Sequence, residues 1–563
     1  MRNDFGKLFL SKGVNYYSCD LPLSKILDFL GFHGDSDMED LGSFVSEHMI
    51  ESADFIDHYA RPKLYTWSIT GERIDYVRIS PDHEYIMEKL LKFGSVRKSA
   101  SGESTWMYHF VSGYLISDSG LFCTITLTAQ TAYAIGKYGD SSVREKFLPG
   151  YISTENPWIG ATFYSETQGG SDLGSNNTIA EMTSEGWTLK GTDKYFASDA
   201  GLADGAVVTA KFRPGYGVRN IALFFVPAMN EDGTLNYSLR RIKDKLGTNA
   251  VPTGEVEFHN SKAYLLGDSG SGIYYSMEVL TISRIDDAIA ATGIARKSLW
   301  EAYLYANRRV AFGKTIIDHP LLARDFLEME SELEATLYLS LYAASKFSST
   351  CSDLPPYSDE YHYARLLSHI TKNMASSAAS EITRYSMEVF GGNGFLEEFP
   401  AAKFHRDALV TSIWEGTSNI QALDMLEAMK KKDAHSLLFR DMKKLVSGIG
   451  NGKIQENLHS IMDKTENEVD KIMGSENPEI QAKDILKILG TMASAVIMYA
   501  ACSPQNQVED DSSLNMAHLY LYRHFSLELK PIMELLTDRR PLKWMDAGKV
   551  RYNGKGVQNS TGN

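Results

Sequence analysis

Five segments of the 563-residue chain carry residue types that could do chemistry. The first is YSETQGGSDLGSNNT, Tyr164–Thr178, leaving the run ATFY. Gly169, Gly170 and Gly174 let backbone N–H groups approach an anion or a ring edge, and Ser165, Thr167 and Ser171 add short hydroxyls. Read alone, it is a flexible hairpin loop. In KYFASDAG, Lys194–Gly201, an aromatic followed by a small hydroxyl residue could lay a ring on a flat cofactor and offer it a hydrogen bond. The alternative is a strand end with a buried Phe196. In RRVAFGKTIIDHP, Arg308–Pro320, Arg309 could clamp a diphosphate, or simply answer a helix terminus. In MEVFGGNGFLEEFP, Met387–Pro400, Gly391, Gly392 and Gly394 read as a helix stop or as backbone passing under a cofactor. In SIWEGTSNIQALDML, Ser412–Leu426, Ser418 and Gln421 form an S-x-x-Q capping box, with Glu415 just before the helix start, where a carboxylate answers the helix dipole.

The elements that must position these segments follow from periodicity. Residues 1–80 are mixed, with few periodic runs. From Pro81 to Gly150 the pattern is helical, including a buried helix over Cys123–Gly139. From Trp158 to about Gly267, short β-rich runs alternate with turn residues at sandwich or barrel spacing. From Ser271 onward long amphipathic helices imply a bundle, interrupted at SSTCSDLPPYSDE. After Lys432 the chain is helical again, with a loop at SPQNQVEDDSS and a disordered tail from Asp546. The expected division is an N-terminal helical domain 1–155, a central β-barrel or sandwich 156–268, a helical bundle 269–432 and a helical extension 433–563: a multi-domain α+β protein.

Composition narrows the class. A formal charge of −15 and ordinary apolar and charged fractions describe a globular chain that is not a generic nucleic-acid or acidic-membrane binder. The four cysteines are far apart and form no C-x-x-C, which predicts reduced thiols and a cytoplasmic protein. Ile488–Cys502 is apolar for 15 residues, short of the roughly 20 that span a bilayer, so it is expected to be a buried core helix. No P-loop, G-x-G-x-x-G after a strand, H-E-x-x-H or G-x-S-x-G motif occurs, and no metal site is expected. GIGNGKI, Gly448–Ile454, reads as a helix cap and turn.

Taken in order, YSETQGGSD, KYFAS, RRxxFGK, FGGNGFxxEFPxxKxxRD and WEGTSNIQ resemble the acyl-CoA dehydrogenase flavoproteins over about Pro81 to Lys430. The N-terminal block, KDKLG at Lys243–Gly247 and the extension resemble the AidB-like branch in particular. The resemblance implies FAD between β-domain and bundle, an acyl-CoA substrate, an electron acceptor such as an electron-transferring flavoprotein, and a homotetramer. It assigns Tyr164, Ser165 and Ser171 to flavin or substrate contacts. Phe196, Ala197 and Ser198 become a flavin wall and its hydrogen-bonding neighbour. Arg309 and Phe312 reach the diphosphate–adenosine half of FAD, in the same or a neighbouring subunit, with Glu388 and Gly392 in the corresponding helix-end segment. Thr417 and Asn419 contact FAD at a helix start, Trp414 stands beside it, Arg284 contacts substrate, and Glu415 aligns with the catalytic base. Three positions depart from the family pattern: Thr281 stands where an acidic residue is common, Glu388 replaces a glutamine, and the Q-G-G-S-D loop lacks its proline. The alternatives carried with this expectation are an oxygen-reoxidised oxidase and an AidB-like stress-response flavoprotein that binds nucleic acid and has weak dehydrogenase activity. Strong nucleic-acid binding by the extension is not expected, because residues 436–563 carry 16 Lys and Arg against 16 Asp and Glu.

Overall fold

The computed structural model describes residues 8–502 and 511–547. The N-terminal part holds α1 Leu21–Leu30, α2 Ser36–Phe44 and α3 Ile50–Tyr59, followed by the hairpin of β1 Lys63–Trp67 and β2 Arg73–Arg78. This corrects the expectation of a largely aperiodic start. The three helices are too short to show long periods, but their caps are in the sequence. Asp20 accepts from Leu23 N at 3.0 Å, Asp35 accepts from Met38 N at 3.2 Å, and Gly31 closes α1 in the left-handed region. Then come α4 Pro81–Lys92, α5 Arg97–Ala100, α6 Met107–Ile116, α7 Ser119–Tyr138 and α8 Ser141–Tyr151. As the sequence predicts, α7 is buried along nearly its whole length.

The central sheet uses β3 Gly160–Phe163, β4 Ile179–Thr183, β5 Gly186–Ser198, β6 Gly205–Lys211, β7 Ile221–Pro227, β8 Ser238–Ile242 and β9 Thr253–Leu265. Its order is β3-β6-β4-β5-β9-β7, with β8 on β9. A further β6–β7 pairing closes the ring, which decides for a barrel over a sandwich. The sheet is mixed, because β3 runs parallel to β6. A second apolar core, including Phe163, Val208, Phe224 and Val256, fills it.

The bundle is built on α9 Gly272–Ala306, which is buried on all sides from Thr281 to Leu304. The short hairpin of β10 Val310–Ala311 and β11 Lys314–Thr315 leads into α10 Pro320–Thr350, α11 Asp359–Phe390, α12 Pro400–Val410 and α13 Ser418–Lys432. The extension adds α14 Ala434–Ser447, α15 Gly452–Met473, α16 Ala482–Cys502, α17 Asp511–Phe525 and α18 Ile532–Thr537. Gly448 and Asn451 cap the helices on either side of GIGNGKI. One helix among the described residues, Pro478–Cys502, is long and apolar enough to cross a membrane, longer than the 15-residue run suggests because polar residues extend its start. Most of its apolar face is buried in the protein. Of the expected SPQNQVEDDSS loop, residues 503–510 lie outside the described residues, and Asp511 already opens α17. Lys549, Arg551 and Lys555 of the expected tail also lie outside them. Asp546 itself ends a short helix, Arg540–Asp546, whose Trp544 packs edge-on against Trp300 of α9.

Candidate active site

A cavity of about 1650 Å³ opens where the barrel rim meets α7, α9, α11 and α13. That exceeds the roughly 300–1,000 Å³ of an ordinary small-molecule pocket, so it has room for two ligands. Its lining includes Tyr164, Ser165, Ser171, Phe196, Ser198, Arg284, Trp414, Glu415 and Thr417, all singled out from sequence.

Glu415 sits on the turn between α12 and α13 with φ 56°, left-handed for a residue with a Cβ, and Gly416 follows with φ 102°. Such a conformation costs on the order of 1–3 kcal/mol and persists only where the surroundings over-determine it. They do so here through the two carbonyls. Gln421 Nε2 donates to Glu415 O at 2.8 Å and to Gly416 O at 2.9 Å. Arg284 Nε donates to Glu415 O at 3.1 Å, and Lys372 Nζ to Gly416 O at 2.9 Å. His369 fixes the glutamine through a 2.8 Å contact of its Nδ1 with Gln421 Oε1. The expected capping box is therefore not formed. The N-cap is Thr417 without a side-chain bond, Ser418 is the first helical residue, and Gln421 serves the turn carbonyls instead. The Glu415 side chain points the other way, with Oε2 accepting from Ser283 Oγ at 2.9 Å. Burial pushes its carboxyl above the usual glutamate range, Asp286 adds to that, and Ser283, Arg284 and Lys372 oppose it.

The Tyr164–Asp172 loop is anchored by a fully buried ion pair, Lys194 Nζ to Glu166 at 3.0 Å. Lys194 also donates to Thr209 O at 2.8 Å and Tyr164 O at 3.2 Å, and Glu166 accepts from Thr178 N at 3.1 Å. The tyrosine hydroxyl is buried and has no hydrogen-bond partner. A Cβ on Gly170 would meet Ser165 Oγ at 2.3 Å, so a larger residue there would have to turn that hydroxyl aside. Phe196 is 54% exposed, not buried as its strand context alone suggests, and faces the cavity. Ala197 alternates to the barrel core, as neighbours on a strand must, so its side chain is not part of the wall. At KDKLG, Lys245 lines the cavity and donates to Thr248 O and Val251 O at 2.8 and 2.7 Å, while burial pulls its ammonium down to about 8.

The remaining predicted residues lie elsewhere in the chain. Arg309 and Phe312 are on the β10–β11 hairpin, Glu388 is exposed and paired with Arg384, Gly392 is on an exposed turn, and Asn419 is exposed on α13. None of the five lines the cavity. Sequence reasoning passed over Ser283, Lys372, His369 and the turn-holding role of Gln421. Ser283 and Lys372 lie in long helices without a local motif, and only the packing of α9 and α11 against the turn reveals them.

A closed barrel thus lies between two helical parts, with a carboxylate on a strained, over-held turn lining the cavity at their junction. Residues 161–261 and 270–430 match the middle and C-terminal domains of acyl-CoA dehydrogenase, and residues 10–155 match the N-terminal domain of the adaptive response protein AidB. The chain is 31% identical over 311 residues to the short-chain specific acyl-CoA dehydrogenase of Megasphaera elsdenii, covering 54% of this chain and 76% of that protein. It is 28% identical over 391 residues to the putative acyl-CoA dehydrogenase AidB of Escherichia coli K12, covering 66% and 70%. The crystal structure of Caenorhabditis elegans ACDH-11 in complex with C11-CoA superposes with a TM-score of 0.79 at 23% identity, covering 97% and 96%. The chain belongs to the acyl-CoA dehydrogenase family, whose cofactor is FAD. The cavity fits that group: Phe196 and Trp414 offer flat walls, and Ser165, Ser171 and Ser198 offer hydroxyls.

Proposed function

We propose that this protein is an FAD-dependent acyl-CoA dehydrogenase that desaturates the Cα–Cβ bond of an acyl-CoA thioester, with Glu415 as the base. The observation that carries this reading is the turn itself. A strained, half-buried glutamate is held through its own and the next backbone carbonyl by four hydrogen bonds from three side chains, which leaves its carboxylate to act. Tyr164, Ser165, Phe196, Ser198, Trp414 and Thr417 would hold the flavin, which supplies a hydride acceptor when bound. Ser283 fixes Glu415 Oε2, leaving Oε1 to take the α-proton of the thioester. Burial raises the proton affinity of the carboxylate and matches it to a weakly acidic C–H. Lys431 and Lys432 are exposed and mark the open end of the cavity, with Arg365 beside them. Their charge suits the phosphates of CoA and so orients the thioester with its acyl group inward.

The electrons then pass to a separate acceptor such as an electron-transferring flavoprotein. The subunit assembles as a homotetramer, with Arg309 and Phe312 reaching a neighbour's FAD, in support of which Phe312 is 96% exposed. Four cysteines without disulfides favour the cytoplasm. Anaerobic titration of the yellow protein with an acyl-CoA panel tests the activity: bleaching of the flavin is expected, and its absence with every thioester would overturn it. The match of residues 10–155 to the AidB N-terminal domain favours one second reading, a stress-response flavoprotein with weak activity, which that negative result would select.

A further inference from the structure

Four of the cations that line the cavity are buried or half-buried: Lys245, Arg284, Arg365 and Arg406. Three of them have a carboxylate partner. Arg284 has Asp424 at 3.0 Å, Arg365 has Glu427 at 3.5 Å and Arg406 has Asp57 at 2.6 Å. Lys245 differs. Its ammonium donates to Thr248 O at 2.8 Å, Val251 O at 2.7 Å and Thr253 Oγ1 at 3.1 Å, all uncharged, and among the described residues no carboxylate forms an ion pair with it. Thr248 and Thr253 line the cavity beside it. A cation withdrawn from water without a counter-ion is costly unless an anion completes it. The acidic groups that face it do not serve. Burial pushes the Cys123 thiol of α7 well up. Asp199 turns Oδ1 to Thr124 Oγ1 at 2.8 Å, and burial pushes its carboxyl up to about 7. Asp407 of α12 and Asp57 of α3 are engaged by Lys403 and Arg406, each at 2.6 Å.

Cys123 and Asp199 also show which part of the cavity this cation serves. They are the acidic groups that act on it most, Asp199 follows Ser198 in the chain, and the Cys123 thiol bonds to Ser198. Lys245 therefore belongs to the part of the cavity that Ser198 lines. The inference rests on FAD lying there, and on the dehydrogenase reading for the direction in which charge moves. Glu415 loses its charge when it takes the α-proton, and the hydride carries one negative charge to the flavin. We propose that Lys245 is the counter-ion of the negative charge that reduction places on the bound flavin, and that it raises the flavin's reduction potential. Three neutral acceptors hold the ammonium in place and leave its charge uncancelled. In a site closed to water such a charge acts more strongly than it would in solution.

The experiment measures the two-electron midpoint potential of the full-length, FAD-loaded protein by dye equilibration without any thioester, together with the flavin-to-protein ratio. Lys245→Gln and Lys245→Met remove the charge, and Lys245→Arg keeps it. The neutral variants should retain FAD and lower the equilibrium constant for reduction by roughly 10–100-fold, about 30–60 mV for a two-electron couple. Lys245→Arg should restore most of that loss, which a residue that only holds the Thr248–Thr253 turn would not do. A second measurement serves if the neutral variants do not fold. Burial pulls the Lys245 ammonium down to about 8, and a negative flavin holds its proton to higher pH. Reduction should then take up two protons instead of one in a window opening near pH 8, doubling the slope of potential against pH. Asp199→Asn removes the other group that titrates there, and the doubling should persist in it. An unchanged potential in folded neutral variants, or a single slope throughout, overturns the inference and leaves the dehydrogenase reading standing. Loss of FAD from folded neutral variants does the same, since it would make Lys245 an anchor of the diphosphate. A lowered potential in a protein whose wild type no acyl-CoA bleaches supports the inference and overturns the dehydrogenase reading alone.

Discussion

Two turns of this molecule carry glycine-containing motifs and left-handed non-glycine residues, and they are built in opposite ways. At Trp414–Gly416 the strained Glu415 is enclosed by α9, α11 and α13, and each carbonyl of the turn receives two donors. At the β10–β11 hairpin, Phe312 with φ 52° and Gly313 with φ 81° form a two-residue loop, yet the phenyl ring stands 96% exposed with His319 edge-on beside it. The turn at Gly391 and Gly392 is as open, since a Cβ on either would meet nothing within 4 Å. Strain that the subunit itself supports marks a function complete within one chain. An exposed bulky residue in a left-handed loop fits a segment whose partner is another molecule.

The largest effect expected on that contrast comes from Glu415→Gln. Loss of a general base lowers kcat by about 10²–10⁴-fold or more, with FAD and acyl-CoA still bound. The thermal midpoint at neutral pH should be unchanged or higher. The folded carboxyl is raised above its unfolded value, so the stability it contributes is present at low pH and is lost as pH rises through the folded value. The neutral amide does not suffer that loss. Near wild-type flavin reduction by the variant would remove Glu415 from the mechanism.

Next, Arg309→Ala combined with Phe312→Ser should release FAD or dissociate the oligomer without disturbing the Glu415 turn. Light scattering and the flavin-to-protein ratio check this. A wild-type protein that is a stable, FAD-replete monomer would erase the contrast.

Gln421→Leu removes the donor shared by both turn carbonyls, and unsatisfied buried acceptors cost about 1–3 kcal/mol each. The expected result is a fall in kcat larger than any change in KM, as the carboxylate loses its aim. Equal effects on both constants would point to general damage.

Lys372→Met should move the acid limb of the kcat/KM profile to higher pH. The ionised glutamate is the active form, and Lys372, Arg284 and Ser283 favour it while Asp286 and burial oppose it. Removing one cation lets the opposing side gain. An unmoved limb would show that Lys372 serves only the backbone.

The smallest effect concerns nucleic acid. The equal charges of residues 436–563 leave few phosphates to neutralise, so the full chain should bind DNA only weakly at physiological salt, and less as salt rises. Sub-micromolar, sequence-independent binding would contradict this.

What the sequence determined by itself is local in origin. Buried α7 follows from a nearly continuous apolar and small stretch, α10 and α11 from a period near 3.6, and the β-rich centre from short runs between turn residues, while α9 is buried on every side and shows no such stripe. The ordered motifs around Tyr164, Phe196 and Glu415 were legible because glycines, small hydroxyls and an aromatic at fixed spacing survive as text. The tertiary structure decided the rest. Ser418 and Gln421 spell a capping box, yet the glutamine amide is drawn to two carbonyls that the left-handed Glu415 exposes, a preference invisible until the turn is closed. Ala197 and Phe196 are adjacent letters with opposite fates, fixed by which face of β5 meets the barrel core. Lys372 is 43 positions from Glu415 and Ser283 is 132 away, in helices whose sequence carries no local motif at either position. Their chemistry arises from side chains brought together across α9, α11 and the turn, and pairing at such separations leaves no trace in a single linear pattern.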